Sequence, residues 1–197
     1  YDGVPGDVDH PRVNEIHFDD KDGLLLVGEV GYVADPETEM NKVAIGYWNY
    51  TARMDDQVAS DLKKTPHGLY AISSHRFYQD KQNRSLGGFL RTGVADGDTA
   101  QVGWDYELGL VGNGWVRPSS EIGLGLSSIR NSDDYMKAQA LASTAADRNE
   151  YSYELYYRDS LFPGVQIQPD LQYIVNPGTD AVTDNALILG LRINAAF

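Results

Sequence analysis

The chain has 197 residues, of which 42% are hydrophobic and 23% charged, and its mean hydropathy of −0.41 is that of a water-soluble protein. A net charge of −13 at pH 7 argues against nucleic acid as a partner, since that ligand requires a basic surface. The absence of cysteine excludes disulfides, zinc–thiolate sites and a cysteine nucleophile. No run reaches the roughly 18 apolar residues of a membrane-spanning helix, although the alternating strands of a membrane barrel escape that test.

The chain opens on an acidic segment, residues 1–23, which holds two of the four histidines, His10 and His17. Its carboxylates are of the kind that bind cations, but they lack the spacing of a calcium loop. A solvated loop is therefore the preferred interpretation, and no metal or cofactor is expected. The length fits a single domain over 1–197.

Alternation of apolar and polar side chains, the pattern of a half-buried strand, dominates the rest of the chain. It predicts about nine strands of about ten residues, the length that a tilted membrane-crossing strand requires. Strands of soluble proteins are shorter, at about five or six residues. Glycines blur the alternation in the first four strands, and it is clear in the last five. The predicted strands are 24–34, 41–51, 67–78, 86–95, 101–110, 121–126, 151–158, 165–175 and 186–197.

The connections between these strands differ in length at the two ends of the predicted sheet. The long ones, 52–66, 130–149 and 176–185, fall at the same end as the head segment. The other end has shorter turns such as 35–40 and 159–163, and the short turn at 95–98 is an exception at the long-loop end. Such segregation is typical of an up-and-down outer-membrane barrel. Within the longest connection, the alanine-rich stretch 134–147 predicts one short exposed helix.

The two-residue period alone does not distinguish a soluble sandwich from a membrane barrel. In a sandwich the apolar face meets a core, and in a membrane barrel it meets lipid while the polar face lines a lumen. Aromatic residues near the strand ends favour the barrel, because aromatic belts lie at the membrane interface. A secreted or periplasmic β-sandwich that binds glycans remains the alternative. The aromatic residues concerned are Trp104, Tyr106, Tyr151, Tyr153, Tyr173 and Phe197.

The number of strands carries a further prediction. Bacterial single-chain barrels have an even number of strands, whereas about nine are predicted here. If the last strand ends in the periplasm, the first descends from outside and segment 1–23 is an extracellular loop. The sequence then predicts an odd number of strands before Tyr1, and hence that the chain is the C-terminal part of a larger barrel.

Seven stretches of the chain carry a resemblance to a known family. They are "YDGVPGD" (1–7), "GLLLVGEVGY" (23–32), "HGLYAISSHRFYQ" (67–79), "LGGFLRTGVADGD" (86–98), "WVRPSSEIGLGL" (115–126), "YSYELYYRDSLFPGVQIQPDLQYIVNPG" (151–178) and "LILGLRINAAF" (187–197). In their order and spacing they resemble the C-terminal half of the carbohydrate-selective porins of the OprB family. The chain departs from the family pattern after Arg117 and Pro118, where Ser119 and Ser120 stand instead of an acidic residue.

The resemblance implies a multi-pass barrel of about 16 strands in the Gram-negative outer membrane, about seven of them before Tyr1. It implies passive diffusion of monosaccharides or small oligosaccharides. The expected partners are these sugars, the outer-membrane lipid and the preceding strands of the same protein. Nucleic acid is not expected, and oligomerisation is left open.

A pore that favours sugars should offer hydrogen-bond donors and acceptors along its wall, and its overall affinity must stay weak so that the sugar can leave. Polar residues of the predicted strands fit this description as pore-lining, substrate-contacting residues. For any one of them, the plainer interpretation is that it hydrates the lumen or neutralises a neighbour; Arg192, for example, could pair with Asp170. The candidates are Glu29, Arg76, Arg91, Gln101, Asp105, Glu107, Glu154, Arg158, Gln166, Gln168, Asp170, Gln172, Arg192 and Asn194.

Catalytic motifs are lacking, and the sequence predicts that the protein is not an enzyme. There is no nucleophile elbow and no HExxH spacing. Ser73, Ser74 and His75 are adjacent, but neighbours along a strand point to opposite faces. Asp105 and Glu107 share a face as glycosidase carboxylates do, yet many polar strands show that spacing.

Overall fold

A computed structural model of the protein describes residues 23–34 and 41–196. The predicted head-segment loop, the turn at 35–40 and the aromatic terminus Phe197 lie outside the described residues, apart from Gly23. Strands dominate the described part, and their lengths suit tilted membrane-crossing segments wherever they belong to the large sheet. The strands are β1 Leu25–Val33, β2 Lys42–Tyr50, β3 Met54–Asp55, β4 Lys63–Lys64, β5 His67–Gln79, β6 Ser85–Ala95, β7 Val102–Asn113, β8 Glu121–Asn131, β9 Asn149–Phe162, β10 Val165–Val175 and β11 Ala186–Ala195.

Nine strands form one antiparallel sheet in the order β1-β2-β5-β6-β7-β8-β9-β10-β11. Each strand pairs with the next long strand along the chain, so the topology is up-and-down, as the alternating pattern predicted. The short strands β3 and β4 form a separate hairpin, in which Met54 pairs with Lys64. The sequence did not predict this hairpin, because two-residue strands leave no readable period.

Within the described residues, the predicted connections are confirmed in their order and unequal lengths, with one correction. β9 continues to Phe162, so the turn predicted at 159–163 is reduced to Pro163 and Gly164. Gly164 has φ 82°, a left-handed backbone conformation that glycine adopts without strain. In the longest connection, the predicted helix is present as α1, Asp133–Leu141, and the Ser132 hydroxyl caps its N-terminus by accepting from the Tyr135 backbone N–H.

Within residues 23–34 and 41–196, no second layer packs against the sheet. Among the described residues, Ala44 is the one fully buried hydrophobic side chain, whereas Val30 is 83% and Leu189 80% exposed. A sandwich would bury one face of such a sheet in a core. The alternative of a soluble β-sandwich is therefore wrong. No helix of the described chain has the length and apolarity to cross a membrane.

Candidate pore-lining face

Register determines which side chains share a face, because residues directly opposite each other on paired antiparallel strands point the same way. One such row runs across five strands: Glu29, Gly46, Tyr70, Gly93 and Asp105. The same alternation brings all the predicted lining residues except Gln101 onto one face, which we call the polar face. On it lie Glu29, Arg76, Arg91, Asp105, Glu107, Glu154, Arg158, Gln166, Gln168, Asp170, Gln172, Arg192 and Asn194.

Gln101 lies outside this face. It precedes β7, and its side-chain amide donates to Asn131 Oδ1 at 3.3 Å and Thr179 Oγ1 at 3.5 Å, among the loops. The register shifts between Val102 and Trp104, so Val102 lies opposite Asn131 and the strict alternation predicted from Gln101 onward is wrong at its start. An extra residue of this kind is a β-bulge, which a two-residue period does not reveal.

Aromatic rings on the polar face lie across glycines of neighbouring strands. A Cβ atom built on Gly46 would collide with the ring of Tyr70, whose hydroxyl donates to Glu29 Oε2 at 2.8 Å. A Cβ on Gly123 would collide with the ring of Tyr156 in the same way. The glycines thus let both rings lie flat against the wall, which leaves more open space in front of it.

Two further rings repeat the arrangement. A Cβ atom on Gly68 would lie 2.6 Å from Trp48, and one on Gly109 would lie 2.6 Å from Phe89. Sequence reasoning did not include these aromatic residues among the lining residues. The available signal was a glycine that falls opposite an aromatic residue, but it becomes readable only when the register of the two strands is known.

Ion pairs neutralise much of the charge on the polar face. Lys42 Nζ lies 3.7 Å from Glu29 Oε1, and Arg91 pairs with Glu107 at 3.2 Å. Glu121 accepts from Arg158 and, at 2.6 Å, from the Tyr156 hydroxyl. Glu121 and Lys42 are additional charged residues of this face that the sequence did not single out.

Arg192 and Arg76 differ from these paired cations. Arg192 lies opposite Gln168, whereas Asp170 lies opposite Gly190. The ion pairs of the described residues do not include an Arg192–Asp170 pair, which the sequence had left open as the plainer alternative. Arg76 donates from one terminal nitrogen to Gln79 Oε1 at 2.8 Å, while its buried Nε has no hydrogen-bond partner in the part of the chain that the structure describes. These two guanidinium groups thus retain donor capacity on the polar face.

The opposite, apolar face carries aliphatic rows flanked by aromatic side chains. Leu110, Leu124, Leu155, Leu171 and Leu189 follow one another across five strands. The predicted aromatic residues of the described chain lie toward the long-loop ends of their strands, where the rings of Trp104 and Tyr106 stack 5.6 Å apart. Lipid contact on such a face is favourable because it carries hydrocarbon in the middle and amphipathic rings at its edge.

One polar pair interrupts the apolar face. Ser73 Oγ lies 3.0 Å from His75 Nε2, since residues two apart on a strand point the same way. Sequence reasoning considered only adjacent residues and missed this pair. A catalytic triad would add a carboxylate that orients the imidazole, and no described contact supplies one. Nor do the described residues bring together three or more His, Asp or Glu side chains that could hold a metal.

Buried polar contacts tie the long connections together. The side-chain amide of Gln57 donates to the carbonyls of Gly97 and Ala100 at 2.7 and 2.9 Å. That of Asn131 donates to Thr179 Oγ1 at 2.9 Å, and both of these residues are almost completely buried. The loops at this end are therefore held together by satisfied hydrogen bonds across four connections.

Two loop carboxylates are held in their charged form. The backbone N–H groups of Ala59 and Val58 donate to Asp56 and lower its pKa. The pKa of Asp180 is lowered in the same way by the Val182 N–H and by the Thr183 hydroxyl. Both loops are therefore ordered best when these carboxylates are ionised.

The serines that replace the expected acidic residue organise the turn before β8. Ser119 Oγ donates to Asp159 Oδ1 at 2.6 Å, and Arg117 pairs with Asp159 at 2.9 Å. Ser120 Oγ donates to the Arg117 carbonyl at 2.8 Å. The carboxylate that this turn uses thus comes from β9 rather than from the turn itself.

A long-stranded sheet with a polar face, a lipid-compatible face and loops segregated to one end defines the wall of an outer-membrane barrel. A family model described as "Carbohydrate-selective porin, OprB family" matches residues 5–197, and the chain belongs to this family. The family and its relatives place the chain in the Gram-negative outer membrane.

Two individual proteins are similar to the chain. Porin B of Pseudomonas aeruginosa is 31% identical over 184 residues, which cover 78% of this chain and 40% of that protein. The high-pH structure of Pseudomonas putida OprB superposes with a TM-score of 0.78 at 26% identity, covering 89% of this chain and 49% of the other. The chain thus spans less than half the length of either relative.

Proposed function

We propose that the protein is an outer-membrane porin through which small sugars diffuse passively. The observation that carries this proposal is the polar face itself, which continues over nine strands. Its amides, carboxylates and guanidinium groups can exchange hydrogen bonds with sugar hydroxyls, and its flat-lying rings can contact the apolar face of a sugar. Contacts of this kind are individually weak, and weak binding allows the solute to leave.

The apolar face and the two edges of the sheet indicate the other proposed partners. Lipid would cover the apolar face, and further strands of the same protein would pair with the free edges of β1 and β11, each of which has one strand neighbour in the described sheet. The lining residues predicted from the sequence, apart from Gln101, would face the lumen. The family consists of channels, and we extend this to the chain as a non-catalytic role.

Liposome swelling tests the proposal. Protein extracted from outer membranes with detergent is reconstituted into liposomes, which are diluted into isotonic solutions of a mono-, di- or tetrasaccharide. We expect fast swelling with the monosaccharide and progressively slower swelling with the larger sugars. Liposomes without protein supply the control. Swelling with salt but not with any sugar, or recovery of the protein as a soluble monomer, would contradict the proposal.

A further inference from the structure

An open bay of about 360 Å³ lies on the polar face and extends across the neighbouring strands β2, β5, β6 and β7. The residues that line it include Trp48, Tyr70, Arg91, Gly93 and Asp105. Its volume falls within the range of small-molecule sites, at the small end suited to one sugar ring. The bay therefore offers a concave surface on this part of the wall.

The aromatic side of the bay is held in place before any ligand arrives. Tyr70 lies across Gly46 and its hydroxyl is tied to Glu29, while Trp48 lies across Gly68. Side chains that are already fixed lose little conformational entropy when a ligand binds. The two residues thus offer an ordered apolar surface to the C–H face of a sugar.

The polar side of the bay carries the carboxylate of Asp105. A Cβ atom on Gly93 would lie 2.8 Å from Asp105 Oδ2, so this half-buried side chain lies across the glycine. The nearby guanidinium of Arg91 pairs instead with Glu107. Within the described ranges, no Lys or Arg forms an ion pair with Asp105. Asp105 consequently offers acceptor oxygens, and it favours a ligand that brings its own positive charge.

We propose that this bay is a binding subsite for amino sugars, in which Asp105 accepts from the ligand's ammonium group while the sugar ring packs against Trp48. Neutral hexoses bind there more weakly, and sugar acids are disfavoured by repulsion from Asp105. The inference rests on the proposed porin function, because it assigns a preferred substrate class to the same lumen. The charged residues that line the bay, Arg91 and Asp105, both lie on strands.

Current recordings in planar bilayers test the subsite with the protein extracted from outer membranes. The probes are glucosamine at about pH 6, where its amine is protonated, together with glucose, N-acetylglucosamine and gluconate. The half-saturating concentration for current block is measured for each. Because a hydrogen bond from a charged donor to a carboxylate is stronger than one from a neutral amide, we expect about tenfold tighter binding of glucosamine than of N-acetylglucosamine.

Substitutions distinguish binding in the bay from a general effect of the negative charge in the lumen. Asp105→Asn should remove the glucosamine preference, whereas Asp170→Asn, at a polar-face carboxylate that lies across Gly190 outside the bay, should retain it. Trp48→Leu should weaken glucosamine and glucose alike. Equal effects of the two Asp substitutions would overturn the inference, because they would mean a cation preference spread over the whole lumen.

Measurements on the wild-type protein alone also test the subsite, and they do not depend on whether any variant folds. Equal half-saturation by glucosamine and N-acetylglucosamine would overturn the subsite while leaving the porin function intact. Failure of every sugar to enter liposomes would instead overturn the porin function itself. The two failures are thus distinguished by whether sugars pass at all.

Discussion

Two walls of the polar face present their side chains differently. On the ring-lined wall, from β2 to β9, Trp48, Tyr70, Phe89 and Tyr156 lie flat across glycines of neighbouring strands. The amide-lined wall, β10 and β11, has no aromatic residue on this face and carries glutamine, asparagine, Asp170 and Arg192 instead. Both walls follow the same two-residue alternation. The difference teaches that alternation along each strand determines which face meets water. The register between paired strands determines how far the side chains on that face project into the lumen.

The largest expected effect comes from a methyl group placed under a ring. Gly123→Ala should push the ring of Tyr156 off the wall, because the new Cβ would occupy the space of that ring. We expect lower single-channel conductance and a free energy of unfolding reduced by about 1–3 kcal/mol, the usual cost of overpacking. Planar-bilayer recordings and urea unfolding in micelles measure the two quantities.

Gly125→Ala is the matched control on the same strand and face. A Cβ at Gly125 meets only Glu154 Cβ, at 4.0 Å, so the substitution should change stability by less than about 0.5 kcal/mol and leave conductance unchanged. If both alanine variants behave alike, the ring-on-glycine packing does not shape this wall.

A smaller effect is expected from the carboxylate that anchors the same ring. Glu121→Gln removes the charge that faces Arg158, and the amide remains able to accept from the Tyr156 hydroxyl. Because the Glu121 side chain is only 16% exposed, we expect a loss of about 1 kcal/mol in unfolding free energy. Urea unfolding measures it.

Glu107→Gln tests the same chemistry at a more exposed pair. The side chains of Arg91 and Glu107 are 59% and 43% exposed, and ion pairs in water contribute little. We expect the unfolding free energy to fall by less than about 0.5 kcal/mol. A larger loss at Glu107 than at Glu121 would mean that burial does not rank the ion pairs of this wall.

The sequence predicted the strands well because the polar and apolar environments on the two sides of a barrel wall impose a strict period. It assigned Gln166, Gln168 and Gln172 to one face from that period alone, and the register agrees. It did not identify Trp48 or Tyr70, since an aromatic residue on a glycine-blurred strand has no evident face. It misplaced Gln101, because a bulge shifts the alternation by one residue without changing composition.

The amide-lined wall should control ion selectivity rather than stability. Arg192→Gln removes a cation that forms no ion pair within the described residues, so the lumen becomes more negative while few contacts are lost. We expect the reversal potential in a salt gradient to shift toward cation selectivity, with stability unchanged within about 0.5 kcal/mol. Gln168→Ala, at the neutral residue opposite Arg192, is the control and should leave the reversal potential as it was.

Acid should affect the loops before either wall, and this is the smallest effect expected. Hydrogen bonds from the backbone N–H groups of Ala59 and Val58 lower the pKa of Asp56. A lowered pKa in the folded state means that the stabilisation is present above the unfolded value of about 3.9 and is lost as pH falls through the lowered value. Hydrogen exchange between about pH 5 and pH 3, corrected for the intrinsic rate, should show reduced protection at these two amides. Protection of the β7–β8 ladder, where no described backbone N–H donates to a carboxylate, should stay constant over the same interval. Equal loss at both places would mean that acid unfolds the sheet as a whole, and that Asp56 does not act locally on its own turn.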